Sequence, residues 1–255
     1  GKINLGLDVL GRRENGYHDV RMVMQTVYLY DLITLKKKEE PGIELTTNLS
    51  FLPVNENNLA YRAAKLLMDE FGLPGGLMNR LFSLGLTEKE LMERGVTLGA
   101  DVPYCILRGT VLAEGIGEIL TPLPPMPRCQ ILLAKPPVNV STRMVYEKLD
   151  ACQIVNHPDI DGLIRGLQDQ DLGKVASSMG NVLEEVTIGE YPVIDEIKRI
   201  MRESGALNAM MSGSGPTVFG IYADRAKARA AAARIREQKL AKQVYVTNVH
   251  NVKRR

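Results

Sequence analysis

The sequence predicts an α+β protein, built as a two-layer α/β arrangement, on three observations. The first third of the chain alternates apolar and polar residues or is rich in β-branched ones, over residues 2–10, 20–35 and 42–47. The second half places strand and helix signals in a β-α-α-β-α-β order. Turn sequences such as Arg13-Glu14-Asn15-Gly16 separate the runs. We therefore expect helices packed on one face of an antiparallel sheet.

Two helices and a strand complete the first half. A helix is predicted over residues 57–70, because apolar residues recur at helical spacing behind an asparagine cap. Thr87 and Glu90 form a capping box for a second helix over residues 86–93. An apolar strand is predicted over residues 105–112, after a segment that Pro103 favours as extended.

A proline cluster at residues 122–127 predicts a boundary between two domains, at residues 1–123 and 124–255. Strands are predicted beyond it at residues 129–134 and 244–249, and within 209–222, where a glycine turn splits the run. Helices are predicted at residues 141–149, 160–167, 171–179, 192–204 and 225–238.

Composition narrows the class of partner. The chain has 255 residues and a formal net charge of +2, so no basic excess favours nucleic acid or anionic lipid. Its longest apolar runs are too short to span a bilayer, and we expect a soluble protein with a small-molecule partner. Cys105, Cys129 and Cys152 have no metal or disulfide spacing, which favours the cytoplasm. Because the chain opens on Gly1 rather than Met, we expect natural residues to precede it.

A glycine loop is the first candidate for chemistry. Its residues are Met211-Ser212-Gly213-Ser214-Gly215-Pro216-Thr217. Glycines let a backbone approach an anion, and the hydroxyls add donors. A plain tight turn between two strands is the alternative interpretation.

A carboxylate and a lysine are the second candidate. Asp101 in Gly99-Ala100-Asp101-Val102-Pro103 can serve as a general base, or it can simply accept backbone hydrogen bonds at a helix end or turn. Lys2 lies in a largely apolar strand, where an inward ammonium needs a partner such as Asp101. The alternative is a strand-edge lysine in water.

An aromatic ring and an imidazole follow the turn at Asn15-Gly16. Tyr17 and His18 form a pair able to stack on, and hydrogen-bond to, a base or sugar. A surface histidine after a turn is the alternative. His157 and His250 have no metal-ligand spacing, and we assign neither a role.

Taken in order, these segments resemble the GHMP kinases over nearly the whole chain. The matching segments are Lys2-Ile3-Asn4-Leu5 with Asp8-Val9-Leu10, Gly16-Tyr17-His18, Asn58-Leu59-Ala60, residues 99–103 and residues 211–217. The resemblance implies an N-terminal ribosomal-protein-S5-domain-2-like domain and a C-terminal ferredoxin-like domain. Gly16-Tyr17-His18 further resembles the branch that phosphorylates the cytidyl alcohol 4-diphosphocytidyl-2-C-methyl-D-erythritol.

That resemblance implies ATP-dependent transfer of a phosphate to the 2-hydroxyl of the substrate, in isoprenoid precursor biosynthesis by the non-mevalonate route. Asp101 would accept the hydroxyl proton, and Lys2 would keep that carboxylate ionised. The substrate side would be lined by Asn4, Tyr17, His18, Tyr146 and Thr217. Gly213, Ser214 and Gly215 would form the phosphate and nucleotide loop, with Mg²⁺ expected at the ATP phosphates and its ligands unassigned. The implied assembly is a monomer or homodimer.

One departure from the family pattern is large. The glycine-rich ATP loop, of the form Pro-x-x-x-Gly-Leu-x-x-Ser-Ser, does not occur, and Gly75-Gly76 runs directly into Leu77. A strand, the loop and most of a helix are missing, on the order of 30 residues. The segment is either present in the natural protein and left out of this sequence, or truly deleted. The alternatives are therefore another GHMP small-alcohol kinase or a non-catalytic substrate-binding relic; an RNA-binding use fits the composition least well.

Overall fold

The computed structural model describes residues 1–36, 42–71, 84–151, 154 and 156–252. Contacts divide the chain into two compact units: Gly1–Tyr30 with Arg108–Arg255, and Asp31–Leu107. These units are defined by contacts within the chain and do not test the domain boundary predicted at residue 123, which stays a prediction. None of the helices in the described part of the chain is long and apolar enough to cross a membrane.

The first sheet of the larger unit has the strand order β4-β3-β2-β1-β6. Its strands are β1 Lys2–Arg12, β2 His18–Thr26, β3 Thr110–Glu114, β4 Ile119–Pro122 and β6 Gly180–Asn181. Neighbours are antiparallel, except that β6 runs parallel to β1. The β1–β2 register places Arg12 opposite His18 at the end of the hairpin.

The second sheet of this unit is antiparallel, with the order β7-β8-β5-β9. Its strands are β5 Gln130–Lys135, β7 Asn208–Met211, β8 Val218–Tyr222 and β9 Gln243–Asn248. The helices of the unit are α4 Thr142–Asp150, α5 Ile160–Gln168, α6 Leu172–Ser177, α7 Glu184–Glu190, α8 Val193–Glu203 and α9 Arg225–Glu237. The β-α-β-β-α-β order is ferredoxin-like, so the predicted α+β class is confirmed.

An apolar cluster joins the two sheets. Ile131 and Leu133 of β5 belong to it together with Ile3 and Leu5 of β1, all nearly or fully buried. The alternate β5 residues point to the other face of the sheet, which α8 and α9 cover. Each buried Leu or Ile contributes about 1.5–3 kcal/mol relative to an exposed one. This cluster holds the first strand, which carries candidate site residues, against the second sheet.

The smaller unit contains α1 Leu59–Phe71, α2 Glu88–Leu98 and α3 Val102–Leu107. Asn58 Oδ1 accepts from the Ala60 N–H at 2.9 Å, so the predicted asparagine cap is confirmed. Thr87 and Glu90 form the predicted capping box of α2.

The prediction of a strand starting at residue 105 is wrong. Residues 102–107 form α3, and β3 begins only at Thr110. Pro103 lies in the first turn of α3, where a helix makes no use of the missing N–H, so proline does not force an extended chain. The carbonyl of Asp101 accepts from the Cys105 N–H at 3.2 Å and starts the helix.

The strand predicted over residues 20–35 is confirmed only as far as Thr26, and the strand predicted over residues 42–47 is wrong. β2 ends at Thr26, and residues 28–36 and 42–47 form no strand. Leu32 is 88% exposed and Ile33 58% exposed. A strand needs a partner for its N–H and C=O groups, and the predicted missing segment contains a strand. The sequence Glu40-Pro41-Gly42 also predicts a turn before residue 43, and its first two residues lie outside the described residues.

Candidate active site

The glycine loop connects β7 to β8 as a closed hairpin turn. The Ser212 N–H donates to the Thr217 carbonyl at 2.8 Å, and the Gly215 N–H donates to the Ser212 carbonyl at 3.1 Å. Gly213 and Gly215 have φ of +61° and +89°, in the left-handed region that favours glycine. A Cβ at Gly215 would lie 2.5 Å from the Met211 Sδ. The loop's shape therefore requires glycine at residue 215.

A buried asparagine on β6 binds the backbone of this loop. Asn181 Nδ2 donates to the carbonyl oxygens of Met211 at 2.9 Å and Gly213 at 2.8 Å. Its Oδ1 accepts from the Leu183 N–H at 3.0 Å. Every hydrogen-bonding group of the amide side chain is thus directed at the backbone, which fixes the loop to the first sheet.

A buried ion pair supports the strand that leads into the loop. Glu184 accepts the Met211 N–H on Oε1 at 2.7 Å and Lys198 Nζ on Oε2, also at 2.7 Å. The Lys198 side chain is 7% exposed and that of Glu184 16%. Both charges are therefore paired in a setting largely removed from water.

The loop lies over the first strand at Asn4. The Asn4 N–H donates to Ser212 Oγ at 3.2 Å, and Asn4 Oδ1 accepts from Lys2 Nζ at 3.1 Å. A Cβ on Gly213 would lie 3.6 Å from Asn4 Oδ1, an ordinary van der Waals contact that shows how closely the loop approaches this strand. The structure thus brings together Lys2, Asn4 and the glycine loop, whose catalytic and binding roles stay predictions.

Helix α4 approaches the same loop with its first turn. Thr142 Oγ1 and Ser214 Oγ are 2.8 Å apart, and Ser141 caps the helix by accepting the Met144 N–H. Tyr146 follows one turn later on this helix. Its ring lies against that of His18, with centroids 4.6 Å apart and planes inclined by 33°.

His18 also contacts an acid that the sequence analysis missed. Its Nε2 lies 2.7 Å from Asp150 Oδ1, and Arg12 Nη1 lies 3.3 Å from the other carboxylate oxygen. Tyr146 and Asp150 are four residues apart on α4 and so share a helix face. The four-residue spacing of Tyr146 and Asp150 is visible in the sequence, and so is the hairpin that places Arg12 opposite His18. These two features were the available signals for the contact between His18 and Asp150.

A cavity of about 280 Å³ opens beside this group. Its lining includes Leu10, Arg12, His18, Leu149, Asp150 and His157. The volume lies near the lower end of ligand pockets, roughly 300–1,000 Å³, and suits one small ring better than a whole nucleotide. Tyr17 is 58% exposed, so the described arrangement places Tyr146 rather than Tyr17 on His18.

A second histidine lies at the same cavity. His157 Nδ1 is 2.7 Å from Asp8 Oδ1, and Asp8 also accepts the Val9 N–H. Asp8 is buried, while the His157 side chain is 52% exposed. His157 has no metal-ligand spacing in the sequence, and its contact with Asp8 could not be predicted because the two residues are 149 positions apart.

The predicted catalytic pair is divided between the two units. Lys2 belongs to the larger unit, while Asp101 lies directly before α3 in the smaller one. Their pairing stays a prediction. Gly75 and Gly76, next to the predicted missing loop, lie outside the described residues. Within the described ranges, no group of three or more His, Cys, Asp or Glu is placed to hold a metal ion.

Comparison with known proteins identifies relatives over almost the whole length. Residues 163–240 match the family model of the GHMP kinases C terminal. A 4-diphosphocytidyl-2-C-methyl-D-erythritol kinase of Lachnospira eligens is 56% identical, covering 96% of this chain and 95% of the relative. The enzyme of the same name from Lachnoclostridium phytofermentans is 48% identical, covering 96% and 94%. A crystal structure of 4-(cytidine 5'-diphospho)-2C-methyl-D-erythritol kinase superposes with a TM-score of 0.80 at 26% identity, covering 98% and 97%.

The alignment lengths also measure what this chain lacks. The match to the Lachnospira eligens protein spans 273 positions, whereas 96% of 255 residues is about 245. About 28 aligned positions therefore have no residue in this chain, and the Lachnoclostridium phytofermentans match leads to the same figure. This shortfall agrees in size with the segment predicted to be missing before Leu77.

Proposed function

This chain belongs to the family of 4-diphosphocytidyl-2-C-methyl-D-erythritol kinases, and we propose that it transfers the γ-phosphate of ATP to the 2-hydroxyl of 4-diphosphocytidyl-2-C-methyl-D-erythritol. The observation that carries the proposal is 56% identity to a relative of that name over 96% of the chain. The reaction would supply isoprenoid precursors by the non-mevalonate route.

The larger unit supplies the groups that would bind the cytidyl alcohol. The cavity beside His18 would take the cytosine ring, with Tyr146 and Tyr17 offering aromatic surface. Asn4 and Thr217 would line the path toward the reacting hydroxyl, beneath Gly213, Ser214 and Gly215. Hydrogen bonds from β6 and α4 support the loop from two sides, so its donors are held in place before a ligand arrives.

Catalysis would rest on Asp101 and Lys2. Asp101 would accept the proton of the 2-hydroxyl as the new bond to phosphorus forms. Lys2, steered by Asn4 Oδ1 at 3.1 Å, would stabilise charge on the transferring group. Mg²⁺ is part of the proposal because ATP phosphates need charge neutralisation, and no ligand set is assigned to it.

A second candidate function is binding of the cytidyl alcohol without phosphorylation. The 28 absent positions favour it, because their number agrees with that of the segment predicted to be missing, which includes the loop that would hold the ATP phosphates. The lack of strands at residues 28–36 and 42–47 is the consequence expected when a neighbouring strand is deleted.

The experiment has two steps. The intact mass of the natural protein is compared with the 28.2 kDa of this chain, and an excess of about 3 kDa would show that the segment exists. ADP release is then followed with ATP, Mg²⁺ and the cytidyl alcohol. We expect turnover that falls by orders of magnitude in Asp101→Asn and Lys2→Ala, while Asp69→Asn, an exposed carboxylate of the same unit as Asp101, retains it.

The alternative has its own signature. A mass of 28.2 kDa, calorimetric binding of the cytidyl alcohol and no ADP release would establish the binding protein and overturn the kinase. Turnover of homoserine or mevalonate instead would point to another GHMP kinase.

We also propose the cytoplasm as the location of the protein, in keeping with the free thiols of Cys105 and Cys129. The proposed assembly is a monomer or homodimer, with no nucleic-acid or membrane partner.

A further inference from the structure

We propose that Asp150, held by Arg12, fixes the tautomer of His18 and thereby makes the pocket select cytosine over uracil. The inference rests on the proposed function, since it takes the cytidyl group as the ligand of the cavity beside His18. Asp150 acts here as a positioning residue, because its carboxylate works through the imidazole.

The hydrogen position on His18 follows from its partner. Asp150 Oδ1 lies 2.7 Å from His18 Nε2, and an ionised carboxylate can only accept a hydrogen bond. Nε2 therefore carries its hydrogen. In a neutral imidazole the other nitrogen, Nδ1, is then an acceptor.

The ring is also held in one orientation. Tyr146 covers one face of the imidazole, and the His18 side chain is only 10% exposed. Within the described residues no hydrogen bond is made to His18 Nδ1. His18 lines the cavity, so its Nδ1 can accept a hydrogen bond from a donor of the ligand.

Arg12 contacts the second oxygen of the same carboxylate. Its Nη1 lies 3.3 Å from Asp150 Oδ2, so the carboxylate already has a permanent positive partner. Asp150 is thus held by Arg12 while it accepts from His18 Nε2, and Nδ1 of a neutral imidazole is the acceptor on the other side of the ring.

The two pyrimidines differ at the atom that would meet this acceptor. Cytosine carries an N4 amino group, which donates, whereas uracil carries O4, which accepts. His18 Nδ1 can accept a hydrogen bond from the amino group of cytosine. It cannot form one with O4 of uracil, because both atoms are acceptors. A site built to accept a hydrogen bond rejects the analogue that cannot donate one, because its own polar atom is left unpaired.

The test uses nucleotide binding and NMR, and neither requires ATP turnover. Nitrogen-15 shifts of the histidine rings report which nitrogen carries hydrogen, with His18→Gln assigning the His18 signals. Wild-type protein is expected to show hydrogen on Nε2 of His18. The Asp150→Ala variant is expected to show a mixture of the two His18 tautomers. Calorimetry with CDP and UDP is expected to show tighter binding of CDP, with CDP affinity reduced about tenfold in Asp150→Ala and UDP affinity little changed.

Glu147→Ala is the matched control, because it removes an exposed carboxylate of α4 that pairs with Arg143 rather than with His18. Its CDP-to-UDP ratio is expected to equal that of wild type. Hydrogen on His18 Nδ1 in wild type, or an unchanged CDP-to-UDP affinity ratio in Asp150→Ala, would overturn this inference and leave the proposed function standing. Failure of wild type to bind either nucleotide would overturn the proposed cytidyl substrate as well.

Discussion

The backbone N–H of Asn4 donates to the hydroxyl of Ser212 across 3.2 Å, joining residues 208 positions apart in the chain. This bond connects the first strand of one sheet to the glycine loop of the other. Asn181 adds two further bonds from the same sheet to the loop carbonyls. The substrate side of the proposed active site therefore depends on how the two sheets pack.

Replacing Gly215 tests whether the loop needs its left-handed residue. Gly215→Ala puts a Cβ 2.5 Å from the buried Met211 Sδ at a φ of +89°. We expect a loss of about 2 kcal/mol or more in the free energy of unfolding and weaker CDP binding, because strain and overpacking add. Urea unfolding and calorimetry measure the two effects.

Gly189→Ala provides the control for that substitution. Gly189 lies in α7, and a Cβ there meets no atom within 4 Å. Alanine should stabilise this position by about 0.5–1 kcal/mol through helix propensity, with CDP binding unchanged. Equal stabilities for the two variants would contradict the packing argument.

The Glu184–Lys198 ion pair beneath Met211 predicts that removing one partner alone lowers the free energy of unfolding more than removing both charges. Lys198→Met should lower the free energy of unfolding by about 3–5 kcal/mol, because it leaves the Glu184 carboxylate buried without its partner. Adding Glu184→Gln removes that charge and retains an acceptor for the Met211 N–H, so the double variant should recover part of the loss. A double variant less stable than Lys198→Met would show that the charge itself is not the cause.

The capping box of α2 predicts a smaller effect in the other unit. Thr87→Ala removes the hydroxyl that accepts the Glu90 N–H and should cost about 1 kcal/mol. Thr97 lies in the same helix and donates its hydroxyl to the Arg94 carbonyl, so Thr97→Ala should be neutral or slightly stabilising. Amide hydrogen exchange of α2 distinguishes them, and similar protection in both variants would be the contrary result.

Burial of Cys129 predicts a loss of stability in alkali. Burial raises the pKa of this thiol to about 12 from an ordinary value of 9.0. Above pH 9 the thiol ionises in the unfolded chain and stays protonated in the fold, so the unfolded state is favoured as pH rises. The added loss between pH 8 and 10 is about 1.4 kcal/mol. Urea unfolding of wild type and Cys129→Ala at the two pH values should differ by that amount, and parallel losses would refute it.

Local signals were sufficient for much of the fold. Caps at Asn58 and Thr87, the strand signal in β1 and helical spacing in α8 depend on residues close in sequence, and each of these elements formed, with some ends shifted. The short β6 and α7 were missed, because two strand residues and seven helical ones carry too little periodicity.

The sequence by itself determined the α+β class, the glycine loop between two strands and the motifs that mark the family, because each is written in neighbouring residues. Only the tertiary structure decided that Asp150 meets His18, 132 residues away, and that Asn181 holds the loop. It also decided that residues 28–36 and 42–47 form no strand. These outcomes depend on which elements pack or pair together, and a strand or a buried polar group takes its form from its partners.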